Sequence, residues 1–213
     1  MDREKLLKIA KPIIFNTEMV QAILEGRKTV TRRIIKPRHK GASGIKIMGG
    51  YVYDVIPIDF IDGQTHTKEY QRAPFKAGDY LYVRETWSEW TGGYLYKSWT
   101  SPFHQPGKSS IMRWYPSIHM PKEAARLFLK VKNVRVERLQ DMEEEDAIKE
   151  GIHPKMCPNC SGLDCDLCSE SEYTVMDEFM YLWNSTINKA DLDKYGWDAS
   201  PWVWVIEFEK VEV

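Results

Sequence analysis

The sequence predicts an α+β fold, a small mixed β-barrel with three or four peripheral helices. Short runs rich in β-branched and aromatic residues recur along the chain, among them Tyr51–Ile56, Tyr80–Trp87 and Tyr94–Trp99. Few stretches between them carry helical spacing of apolar residues. The closing run Trp202-Val-Trp-Val-Ile-Glu-Phe is apolar at both parities in its first half, as a strand covered on both faces is. A chain of 213 residues, 43% hydrophobic, can bury one core, so a single domain over 1–213 is expected, with an insertion at 153–172.

In order, Lys11–Asn16 reads as a first strand. Asn16 or Thr17 caps a helix whose face is Val20, Ile23 and Leu24, extended by Met19, and Gly26 suits its left-handed end. Thr29–Ile35 is a strand stopped by Pro37. Residues 38–50 read as a flexible loop or hairpin tip and 59–72 as a polar loop. Gly78-Asp79 introduces the strand 80–87, and 100–110 is a Pro/Gly/Ser loop. Pro116 and Pro121 break 113–121, and 123–127 suits a helical turn. Phe128–Leu139 is a long strand. Asp141 caps an acidic helix that Gly151 ends, with residues 143–146 on a solvated face. Val175 or Met176, with Phe179, Leu182 and Trp183, marks the last helix, and 191–197 is a loop before the last strand.

Function begins at Gly26-Arg27-Lys28-Thr29-Val30-Thr31-Arg32-Arg33. Between Glu25 and Lys46 there are eight Lys/Arg and one acid, inside a chain of net charge -1. Global attraction to nucleic acid is therefore weak, and any such binding rests on this local patch. The same charges also suit a solvated edge strand, where Lys and Arg discourage strand pairing. Trp87, Trp90, Trp99 and Trp114 offer either stacking surfaces for bases or core filling. Glu85 is either a second carboxylate at a pocket or an arginine's ion-pair partner. His119 is either an acid/base group or a packed side chain.

Cys157, Cys160, Cys165 and Cys168 form two CxxC pairs within twelve residues. Each pair sets two thiolates on one turn, and two such knuckles complete a four-sulfur tetrahedron suited to one structural Zn2+. No apolar run approaches a membrane span, and the N-terminus lacks a signal-peptide pattern, so a cytoplasmic protein without membrane contact is expected.

The eight-residue stretch resembles the GxKxxExR signature of the ASCH domain, a branch of the PUA-like β-barrel superfamily. Gly26, Lys28 and Arg33 match it, and Thr31 stands at the Glu position. The small ASCH amidohydrolases that deacetylate N4-acetylcytidine share that departure, with a Lys, a Thr and a Glu in their active site. The resemblance implies Lys28, Thr31 and Glu150 as catalytic residues. It extends to Gly78-Asp79 with the strand through Glu85 and to the closing strand, roughly half the chain. The whole sequence looks more like the longer ASCH proteins of phages and prophages, and the cysteine segment is outside the minimal family fold.

A threonine hydroxyl needs a base to become a nucleophile, and a lysine serves only with its pKa depressed toward neutrality. Arg27, Arg32 and Arg33 are the cations at hand for that, and the residues that would bind substrate or nucleic acid, with Glu85 beside them. Lys28 and Thr31 differ in strand parity, so a shared site requires Lys28 to lie in the turn before the strand, or a bulge. The expected function is recognition of RNA or a modified nucleoside in a basic cleft, with hydrolysis of an N4-acylated cytidine. The alternatives are a non-catalytic RNA-binding module and a ribonuclease.

Overall fold

The computed structural model describes residues 1–38, 40, 42–57, 66–99, 113–152 and 174–212. The cysteine segment with its zinc site, and the loop at 100–110, lie outside the described residues. The chain divides into two compact units, one of residues 1–29, 76–132 and 207–213, the other of 30–75 and 133–206.

In the first unit, α1 (Arg3–Ile9) starts at Asp2, whose carboxylate accepts the Lys5 N–H at 3.0 Å. The charged run at the N-terminus carries this helix, which apolar spacing alone did not announce. β1 (Lys11–Ile14) pairs in parallel with β6 (Tyr80–Arg84), Lys11 opposite Leu81. α2 (Thr17–Leu24) is capped by Asn16, which accepts the Met19 N–H at 2.8 Å. Gly26, at φ +78°, turns the chain out of α2. β6 is antiparallel to the start of β9 (Phe128–Arg138), with Tyr80 opposite Lys130. β7 (Trp87–Trp90) and β8 (Gly93–Tyr96) form a hairpin, and the chain then enters a 3-10 turn at Lys97–Trp99. Leu6, Tyr82, Trp87, Tyr96, Met120 and Phe128 share one core. Trp87 is stacked on Tyr115 at 5.1 Å, whereas Trp90 and Trp99 are exposed.

In the second unit, β2 (Val30–Ile34) follows the basic turn. β3 (Gly44–Met48), β4 (Tyr51–Pro57) and β5 (His66–Gln71) make an antiparallel sheet. Gly49 and Gly50, both at positive φ, close β3 on β4, the backbone sense that a two-residue hairpin turn requires. β5 corrects the expectation of a loop at 59–72. Its polar residues are tolerated because the sheet exposes one face, while Gln71 turns inward to donate to Asp54.

The acidic helix is shorter than expected: α3 spans Glu144–Lys149, and Asp141 instead accepts the Arg138 N–H inside a 3-10 turn. α4 (Val175–Ser185) is capped by Thr174, and a short α5 (Leu192–Tyr195) follows where a loop was expected. Val30, Leu139, Ala147, Phe179, Trp183, Val203 and Val205 form this unit's core.

β9 and β10 (Trp202–Val211) run through both units, and the hydrogen-bonded strand order is β1-β6-β9-β10-β2. That order has two ends, so among the described residues the α+β fold contains no closed barrel. No helix among them is long and apolar enough to cross a membrane.

Candidate functional site

Strand β2 carries three polar side chains in succession, and alternation turns Thr31 and Arg33 away from Arg32. Arg32 shares its parity with Val30, which lies in the second unit's core, and its side chain has no exposed surface. A guanidinium taken out of water needs carboxylate partners. Arg32 has three. Nε and Nη2 both donate to Glu137 Oε1, at 3.0 and 2.7 Å, Nη2 donates to Asp146 Oδ2 at 2.9 Å, and Nη1 donates to Glu150 Oε1 at 3.3 Å. Glu137 comes from β9. Asp146 lies in the first turn of α3 and Glu150 at its C-cap, four residues on, the spacing that puts two side chains on one helix face.

Glu150 is 5% exposed, at the C-cap before Gly151, whose φ of +92° ends the helix there. Further cations join the cluster: Arg135 Nε donates to Glu137 Oε2 at 3.1 Å, and Lys149 Nζ lies 3.4 Å from Asp146. Burial lowers the Arg33 guanidinium from its ordinary value, and the nearby charge of Glu150 opposes that shift. Thr31 is buried in the same unit.

Lys28 belongs to the first unit. It precedes β2, in the turn where its N–H and that of Arg27 both donate to Ala22 O, so strand alternation does not govern its side chain. It is 2% exposed, with Nζ 5.6 Å from the Phe15 ring centroid. Arg27 is paired with Glu25 at 2.5 Å on an accessible edge.

No protein-family model matches the chain, and neither a curated protein nor a solved structure does.

Glu85 also belongs to the first unit, where it is 1% exposed and the ion-pair partner of an arginine. Arg126 grips both its oxygens, Nε to Oε1 at 2.9 Å and Nη2 to Oε2 at 3.0 Å. Ser98 donates to Glu85 and accepts from Arg126. The guanidinium lies 4.2 Å from the Tyr96 ring centroid. Burial raises the Tyr96 hydroxyl above its usual range, with the neighbouring Arg126 charge opposing, and this hydroxyl donates to Ala124 O at 2.5 Å. His119 sits in a 3-10 turn at the surface.

Strand β2 and the end of α3, read as one site from the sequence, thus meet through Arg32 and Glu150. Glu137, Asp146 and Arg126 were not anticipated. Only Asp146 left a trace in the sequence, through its spacing from Glu150.

Proposed function

We propose that the chain binds RNA or a modified nucleoside through the basic strand β2, and hydrolyses an N4-acylated cytidine there. The observation that supports this reading is the contact between Arg32 and Glu150, which joins the strand to a carboxylate 118 residues away. Arg32 has its donors on carboxylates, so its part is to fix Glu137, Asp146 and Glu150. Contact with phosphate or base falls to Arg33 and to Arg27, whose pairing with an exposed glutamate is readily exchanged.

In the proposed reaction the Thr31 hydroxyl adds to the acyl carbon and gives its proton to a base. The resemblance to ASCH amidohydrolases assigns that base to Lys28. The C–N bond then breaks, the proton taken from Thr31 passes from the base to the departing N4 with the Glu150 carboxylate relaying it, and water hydrolyses the acyl ester to free Thr31. The same resemblance supplies the PUA-like superfamily as the proposed relationship.

The four cysteines are proposed to hold one Zn2+. Their donor set of four thiolates fits a closed structural site and leaves no position for substrate.

The test is incubation with acylated cytidines and short RNAs, read by mass spectrometry. The unsubstituted chain should release cytidine and the free acid. Thr31→Ala should abolish turnover with the fold intact, and Glu150→Gln should lower kcat by about 10²–10⁴-fold. Absence of product across the whole panel would refute the catalytic reading.

A further inference from the structure

Strand alternation divides the sheet β3-β4-β5 into two faces. Val52, Asp54 and Gln71 share one parity and are buried. Tyr51, Tyr53 and Tyr70 share the other, together with Met48 and Lys46: Tyr53 lies opposite both Tyr70 and Lys46, and Tyr51 lies opposite Met48. The Tyr70 ring meets Tyr51 at 5.7 Å and Tyr53 at 5.9 Å, edge-on in both cases. Tyr51 is 56% exposed and Tyr70 48%. None of these five residues is acidic, and Lys46 is exposed among the aromatics. The acids nearest in sequence, Asp54 and Glu69, face each other at the opposite parity. This face therefore combines clustered π surface with positive charge, the complement of a polyanion whose bases are unpaired.

We propose that this face binds single-stranded RNA, with Tyr51, Tyr53 and Tyr70 stacking on successive bases and Lys46 contacting phosphate. The partner rests on the RNA reading above, while the surface is separate from Arg32 and Glu150. Unstacked bases offer apolar faces of any sequence, and aromatics on an open sheet receive them without a preformed pocket. Edge-on packing holds the rings in place through their neighbours, and the exposure of Tyr51 and Tyr70 leaves ring surface open to a base.

The experiment measures binding of a fluorescein-labelled uridine dodecamer to the full chain by anisotropy, across a salt series. Tyr51→Ala and Tyr70→Ala are each expected to weaken binding by about tenfold, and Tyr70→Phe to bind as the parent does. Lys46→Ala should reduce the slope of log affinity against log salt by about 0.7. Ultraviolet crosslinks should map to peptides containing Tyr51 or Tyr70. Binding that is absent, or unchanged by both alanine variants, overturns the proposal. So does sedimentation showing that the tyrosines hold two copies of the chain together while RNA affinity is unaffected. If the dodecamer fails to bind while N4-acetylcytidine is still hydrolysed, this face is misassigned and the catalytic reading survives. If the tyrosines bind RNA and no acylated nucleoside is hydrolysed, the reverse holds.

Discussion

Arg32 illustrates how a basic residue changes meaning once its neighbours are known. In sequence it belongs to a cationic patch; in the fold it is the buried centre of three carboxylates. Arg32→Met should cost about 3–5 kcal/mol in urea unfolding, because the carboxylates lose their counter-charge while still buried. Arg33→Ala should lower affinity for nucleic acid. Asp79 gives a pH-dependent counterpart. Burial raises its carboxyl, but hydrogen bonds from Lys11 Nζ and the Lys76 N–H outweigh this and hold it below its ordinary value. A carboxyl depressed in the folded state contributes stability above its unfolded pKa, and loses it as pH falls through the folded one. Asp79→Asn should therefore lower Tm at pH 7 and lower it progressively less below about pH 4.

Elements were legible where one physical cause dominates. Asn16 caps α2, the β-branched and aromatic run in Tyr80–Arg84 makes β6, and the apolar run in Trp202–Val211 makes β10. They were illegible where pairing overrides composition. β5 is polar and becomes a strand through β4, and α1 is charged and starts from the Asp2 cap. Thr174 and Asp177 cap α4 reciprocally, so Thr174→Ala should destabilise the protein by about 1 kcal/mol in urea unfolding. Gly26 is at positive φ with open space around it. Gly26→Ala should therefore cost about 1 kcal/mol through backbone strain alone, and Gly26→Asn less.

At the scale of the molecule, the α+β class follows from the strand and helix patterns, but strand order does not. Which edges remain unpaired depends on contacts between distant segments, and residue spacing does not encode them. The candidate site divides in the same way. Glu150 was reached through resemblance, whereas Glu137 and Asp146 sit in charge runs that look like solvated surface until Arg32 is placed beside them. The zinc proposal predicts one metal per chain by elemental analysis, with loss of the metal in Cys157→Ser and a lowered Tm on chelation.

The division of β9 and β10 between the two units bears on how the protein is made. The first unit includes residues 1–29 and residues 207–213, so its N-terminal segment is completed only when residues 207–213 have been added. The second unit also draws on two separated stretches of the message, 30–75 and 133–206. Neither half can mature as an uninterrupted nascent segment, and a chain that ends before residue 207 leaves the first one incomplete.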